Sequence, residues 1–286
     1  MKYFLIASFF SFCLLNSMMP GKNSIADKKI PVADIKNFPS LIADDASPVV
    51  NYWVDSLYNT MQLQSLGLSR NVFFLACKGY EYFLSKNLIQ KPDLLTICDY
   101  SQRSTKKRLY VINIKEGKLL YNTYVAHGRN SGTDYATSFS NSADSHKSSL
   151  GFLISADTYT GENGYSLRFK GMEKGFNDNV YSRAIVMHGS DYVSKERAIS
   201  GAITGRSFGC PAVSLQDHKK IIDQIKGGSC FFAYYADGNY QKTSTILNAH
   251  FEWPVAKILQ PSIPEQNNFA QPFALIKPAK NIAATL

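Results

Sequence analysis

The chain is expected to fold as a mainly β domain preceded by a short helical segment. Three observations carry that expectation. Fifteen of its 18 glycines fall between residues 110 and 240, a density of turn punctuation that suits strands joined by irregular loops rather than a βαβ repeat. The same stretch holds β-branched and aromatic runs separated by turn signals. Helical periodicity is concentrated between residues 47 and 92, with one later helix.

In chain order, Lys2 precedes the apolar stretch Tyr3–Leu15, interrupted only by Ser8 and Ser11. Its 13 residues fall short of the roughly 20 needed to span a bilayer, so residues 1–18 read as a cleaved signal peptide, with an uncleaved anchor as the alternative. Cys13 follows Ser11-Phe12, which is not the small-residue pair of lipoprotein processing. No second apolar run exists, so the mature chain is expected to be exported, to a periplasm or cell envelope, without stable membrane insertion. Residues 19–46 are polar, contain Pro31 and Pro39, and read as a linker.

Residues 47–92 form the helical segment. Ser47-Pro48 supplies a cap hydroxyl and a first-turn proline, and Val49, Trp53, Leu57, Met61 and Leu68 recur at near-helical spacing. A second helix follows Ser69, with Val72, Phe73, Ala76, Tyr80, Phe83 and Leu84 along one side. The β domain covers 93–237: a strand over 94–100, strands over 109–114 and 118–125 around Glu116-Gly117, a strand from Ile185 to His188, a helix over 215–226 closed by Gly227-Gly228, and a last strand over 230–235. Residues 238–286 are a proline-containing tail, in which residues 250–286 hold five of the eleven prolines and are expected to be extended or loosely docked.

The chain has 286 residues, 45% hydrophobic and 19% charged, enough for one sizeable core and incompatible with a disulfide miniprotein or a disordered chain. Its formal charge of +9 is spread evenly, with no dense basic block interleaved with aromatics, so nucleic acid is not expected as a partner. Beyond the leader there are four cysteines. Cys77, Cys98 and Cys230 sit in apolar contexts and read as buried thiols. Cys210 lies between Gly209 and Pro211, in a loop.

The chemistry concentrates there. Ile185-Val-Met-His188-Gly reads as a strand ending in a histidine, and Cys210 follows 22 residues later within Gly205-Arg-Ser-Phe-Gly-Cys210-Pro-Ala. Imidazole activates a thiol when tertiary folding brings the two within hydrogen-bond reach, and backbone N–H groups around Gly209 and Cys210 are placed to hold an oxyanion. From spacing alone other readings stay open: Cys210 as a structural thiol or half of a disulfide with Cys230, and His188 as a strand-end histidine bonded to backbone.

These residues resemble a known family. His188-Gly followed by Ser207-Phe-Gly-Cys210 is similar to the signature of the YkuD-type L,D-transpeptidases, a histidine and, after a spacer, Ser-His-Gly-Cys. The likeness is to the murein L,D-transpeptidase branch with Gly-Arg-Ser-aromatic-Gly-Cys-Pro-Ala. It extends over residues 70–236 through Arg108-Leu-Tyr-Val-Ile, Val125-Ala-His-Gly-Arg-Asn-Ser-Gly132, Phe139-Ser-Asn, Ser148-Ser-Leu-Gly151, Tyr159-Thr-Gly and Gly164-Tyr-Ser-Leu167. The resemblance implies an L,D-transpeptidase-like β-sandwich whose substrate is the stem peptide of peptidoglycan, with no cofactor and no metal. It implies Cys210 as nucleophile, His188 as general base, Ser207 as the serine that helps fix the histidine, and Gly209 as the glycine lining the oxyanion site.

Two departures stand out. Phe208 replaces the motif's histidine, and Pro211-Ala212 replaces a polar pair that often contains arginine. Arg206 or Arg183 is therefore the candidate for holding a substrate carboxylate, since a guanidinium fork suits one. His127, in His-Gly-Arg-Asn at a strand end, is a candidate for lining the cleft, with a backbone-bonded loop histidine as its alternative. Cys210 is expected not to pair with Cys230. Two further functions stay open: a hydrolytic thiol amidase or endopeptidase of the wall, and a catalytically silent wall-binding module.

Overall fold

The computed structural model describes residues 47–203 and 206–259. The expected signal peptide and linker, Gly205 and the end of the tail lie outside the described residues.

Two helices open the described chain, α1 (Pro48–Thr60) and α2 (Arg70–Ser85). Each starts on a serine hydroxyl that accepts a first-turn N–H: Ser47 Oγ from Val50 at 3.4 Å and Ser69 Oγ from Val72 at 3.2 Å. The strands β1 (Leu94–Asp99), β2 (Leu109–Asn113), β3 (Lys118–Thr123), β4 (His127–Gly128), β5 (Gly151–Gly161), β6 (Gly164–Gly171) and β7 (Val186–Ser190) follow. A short helix α3 (Lys195–Ile199), strands β8 (Arg206–Ser207) and β9 (Val213–Ser214), helix α4 (His218–Ile225) and strand β10 (Cys230–Tyr234) come next. Helices α5 (Gly238–Thr243) and α6 (Pro254–Leu259) end the described chain.

The mainly β expectation holds. Eight strands form one mixed sheet in the order β3-β2-β1-β10-β5-β6-β7-β9, and β4 pairs with β8 in a separate parallel ladder. The sheet is antiparallel except at β1–β10 and β7–β9. Alternation along its strands assigns each side chain to one of two cores. Leu95, Ile97, Tyr110, Ile112, Phe152 and Phe232 point into the core shared with α1 and α2. Cys98, Leu109, Val111, Leu153, Phe231 and Ala233 point into the other, where Ile221, Ile222 and Ile225 of α4 meet them. The central strands are therefore covered on both faces, which is why β1 and β10 read as unbroken apolar runs rather than alternating ones.

The helices of residues 47–92 thus cover one face of the sheet. At Gly79 of α2 an added Cβ would lie 2.1 Å from the Phe152 ring. That ring stacks on Phe232 at 4.1 Å and cannot retreat, so only glycine lets the helix sit this close.

The first part of the tail packs against the fold. Tyr240, Ile246, Leu247 and Trp253 are buried in the core on the α1–α2 face. Each apolar side chain of this size contributes about 1.5–3 kcal/mol on leaving water, so this part of the tail docks through its apolar content despite lacking a period. Polar contacts fix its path. Glu173 accepts from Tyr240 Oη at 2.8 Å and from the Ser244 hydroxyl, while Glu81 Oε2 accepts the Val255 N–H at 2.9 Å at the start of α6.

Burial of Glu81 against α6 raises its pKa from 4.5 to about 7, outweighing the Val255 hydrogen bond. The folded state thus holds this proton more tightly than the unfolded one. Stability from this group is full below pH 4.5 and declines as pH rises through about 7. The unfolding midpoint of the native chain, minus that of a Glu81→Gln variant, is expected to fall steadily between those limits. The full swing is on the order of 2–3 kcal/mol. A pH-independent difference in thermal denaturation would remove this account.

Candidate active site

His188 is carried by β7, and Cys210, in the turn between β8 and β9, packs its thiol against the start of that strand. The Cys210 side chain is only 8% exposed. Its Sγ accepts the Val186 N–H at 3.4 Å and donates to the Ala184 carbonyl at 3.7 Å. Ala184 reaches that position with φ +50, a left-handed backbone rare for a residue with a Cβ. His188 stands two residues beyond Val186, in register with Ser166 of β6. Its Nδ1 donates to the carbonyl of Gly189 at 3.0 Å, which leaves Nε2 unprotonated as the basic nitrogen of the neutral ring. The thiol meets β7 at Val186, two residues before His188, and the two side chains make no hydrogen bond to each other.

The electrostatics favour a neutral pair at rest. Burial pushes the Cys210 thiol above its usual value, against the opposing pull of the Val186 N–H and the Arg183 charge. Burial also lowers His188, helped by the nearby His218 and resisted by the Gly189 hydrogen bond. The ring of His218 covers Gly189 so closely that an added Cβ would lie 2.6 Å from it.

Ser207 has a different partner from the one its resemblance implies. Its hydroxyl donates to the Cys210 carbonyl at 2.7 Å and accepts the Gly209 N–H at 3.1 Å, bracing the turn that carries Cys210 rather than the histidine. The imidazole is held by Gly189 instead. Gly209 has φ +120, and an added Cβ would come within 2.7 Å of the Lys147 carbonyl, so the turn demands glycine. Ser207 thus engages the Gly209 N–H, while the Cys210 N–H makes no hydrogen bond among the described residues.

The three substrate-binding candidates separate. Arg183 is committed to structure: its two terminal nitrogens donate to the Ser140 carbonyl, Ser149 Oγ, Ser145 Oγ and the Lys147 carbonyl at 2.7–3.1 Å, tying down the loop beside Cys210. His127 is fully buried and does not line a cleft. Its Nδ1 lies 2.7 Å from Arg108 Nη2, and arginine can only donate, so Nδ1 is the acceptor and Nε2–H faces the Gly132 carbonyl at 3.4 Å. Burial and the Arg108 charge lower its pKa to about 4. Arg206 is exposed on β8 and donates from Nη1 to the Arg129 carbonyl at 3.2 Å.

Cys210 and Cys230 belong to opposite faces of the sheet, and all four described cysteines are free thiols. Phe208 is 62% exposed, its ring stacked on His146 with centroids 4.5 Å apart and capped by the Arg129 guanidinium at 4.5 Å. No short-range pattern marks Arg129 or His146, because Phe208 meets them only through tertiary folding.

The sheet thus carries the His188 imidazole on β7 and receives the buried Cys210 thiol at Val186 of the same strand. The family described as L,D-transpeptidase catalytic domain matches residues 64–234, more than half of the chain, and the chain belongs to that family. Among solved structures it is similar to an L,D-transpeptidase from Mycobacterium smegmatis, at 10% identity and a TM-score of 0.32 over 50% of this chain and 59% of that one. It is also similar to a structure titled the Ldtfm–avibactam carbamoyl enzyme, at 13% identity and a TM-score of 0.30 over 51% and 50%. The chain thus spans between half and three fifths of the lengths of those two proteins. Comparison with curated proteins gives no match.

Proposed function

We propose that the protein is an exported cysteine L,D-transpeptidase of the cell envelope, acting on peptidoglycan stem peptides through a thioester. Family membership, together with the Cys210 thiol against the Val186 N–H of β7 and His188 two residues along that strand, supports this reading. Rotation about the Cys210 Cα–Cβ bond releases Sγ from Val186 and turns it toward His188 Nε2, which takes the proton. Apo geometries often tighten in this way only with substrate bound. The thiolate attacks the stem carbonyl, the Cys210 N–H stabilises the oxyanion, and the imidazolium returns its proton to the departing amine of the terminal D-amino acid. A second stem's amine, a free D-amino acid or water then resolves the thioester, giving a cross-link, exchange or carboxypeptidase trimming and regenerating the thiol.

Ser207 and Gly209 serve by shaping the nucleophile's turn, and the exposed Arg206 is available for a substrate carboxylate. No described helix is long and apolar enough to cross a membrane. Mass spectrometry after incubation with muropeptides tests the reading. An acyl adduct on Cys210 with new dimers supports transfer. Trimmed monomers alone support a hydrolase, and sacculus binding without any adduct supports a silent module.

A further inference from the structure

We propose that His218 is a positioning residue for the general base, its ring holding in place the Gly189 peptide whose carbonyl orients His188. The inference rests on the acyl-transfer reading for what the base does, and on the fold alone for how the base is held. His188 Nδ1 donates to the Gly189 carbonyl at 3.0 Å, and that bond decides which nitrogen keeps the lone pair. The acceptor sits on a glycine, the residue with the most backbone freedom. Gly189 pairs with Val213 of β9, a strand of only two residues. Rotation of this peptide would carry the carbonyl away from Nδ1.

His218, the first residue of α4, provides the restraint that a side chain at position 189 would otherwise give. Its Cγ, Nδ1 and Cδ2 lie 2.6, 2.7 and 3.1 Å from the point where a Cβ on Gly189 would stand. The ring therefore fills the space over the Gly189 Cα. Successive positions of a strand face opposite ways, so the ring acts from the side of β7 opposite the His188 imidazole. That is the side on which Met187 joins Ile221 and Ile225 of α4 in one core.

The ring is itself fixed. Its Nδ1 lies 2.8 Å from the Leu215 carbonyl, which can only accept, so Nδ1 is the donor. The turn that carries Leu215 is closed by Asp217. The Asp217 N–H donates to Ser214 Oγ at 3.1 Å, and its Oδ2 accepts from Ser214 Oγ at 2.9 Å and from Thr123 Oγ1 at 2.8 Å. A continuous set of contacts thus runs from the end of β3 through this turn and the His218 ring to the carbonyl that holds the base.

Two variants separate the ring from its hydrogen bond. His218→Asn keeps a donor near the Nδ1 position and removes the ring, whereas His218→Phe keeps the ring and removes the donor. Acylation of Cys210 by a stem peptide is expected to fall roughly tenfold in His218→Asn, in kcat with KM unchanged, as for a base shifted out of line. His218→Phe is expected to retain most of the native rate. In a His188→Gln background, assayed in alkali where that variant reacts, His218→Asn is expected to cost nothing further, because His218 acts only through the imidazole. A loss that persists in that background, or an equal loss in His218→Phe, would overturn the proposal and leave the transfer reading standing. Nitrogen-15 spectra of the histidines give a second readout that needs no substrate. The native His188 is expected to carry its proton on Nδ1, and His218→Asn to show a mixture of both tautomers; an unchanged tautomer would also overturn the proposal. A shifted tautomer in a protein whose native form never acylates Cys210 would uphold the positioning role and defeat the transfer reading.

Discussion

Replacing Cys210 by alanine is expected to abolish acyl-adduct formation and to lower turnover at least about a thousandfold, since loss of a covalent nucleophile leaves only binding and oxyanion stabilisation. The fold should persist. The thiol contributes one weak contact to the Val186 N–H and one to the Ala184 carbonyl, and its turn is closed independently by Ser207 and Gly209. A shift in melting temperature of no more than a few degrees corresponds to about 1 kcal/mol in a domain of this size.

His188→Gln separates chemistry from structure in the same assay. The thiol is held above its ordinary pKa of 9.0, so without the imidazole almost no thiolate exists at neutral pH. Adduct formation by this variant is expected to be lost at pH 7 and to recover as pH climbs past 9, where hydroxide replaces the base. Damage to the fold would not be repaired by alkali. Full turnover in the Cys210→Ala protein would remove the thioester mechanism.

Much of the β framework was readable from local pattern because its strands have simple neighbours. β1, β2 and β10 are apolar on both faces, and the caps at Ser47 and Ser69 announce α1 and α2. The long β5–β6 hairpin, which turns through Gly164 at φ +70, was not among the strands read from the sequence. The docked part of the tail was not readable, because Tyr240, Ile246, Leu247 and Trp253 follow no helical period and reach the core from separate short turns and loops.

The site divides along the same line. His188 and Cys210 stand out by motif, but their support comes from contacts distant in sequence or carried by backbone. The Gly189 carbonyl that holds the imidazole has no side-chain signature. His127 looks like a cleft residue from its neighbours Gly128, Arg129 and Asn130, and only the fold reveals Arg108 against its ring. Phe208 reads as the loss of an imidazole, whereas folding brings the imidazole of His146 onto its face.

Arg108→Met is the substitution expected to damage the fold most. Arg108 is fully buried and stacks its guanidinium 5.3 Å from the Tyr100 ring centroid. It donates to the Val125 carbonyl from two nitrogens, to the Gln102 carbonyl at 2.8 Å and to His127 Nδ1 at 2.7 Å. Methionine fills a similar volume but supplies no donor, so three buried acceptors lose their partner together. Each unsatisfied acceptor costs about 1–3 kcal/mol, and relief from burying a charge offsets part of the sum, leaving a net loss of roughly 3–5 kcal/mol. The same change releases His127. Its pKa of about 4 is set first by burial and then by the Arg108 charge, so the variant's imidazole should titrate closer to neutral pH. In the native chain this depressed pKa contributes stability that is full above pH 6.5 and is lost as pH falls through about 4. Removing Arg108 should shrink that acid dependence while lowering stability throughout, which denaturant unfolding at pH 4 to 7 would measure. Loss of stability with an unchanged acid slope would show that Arg108 supports the β4 strand without governing the charge of His127.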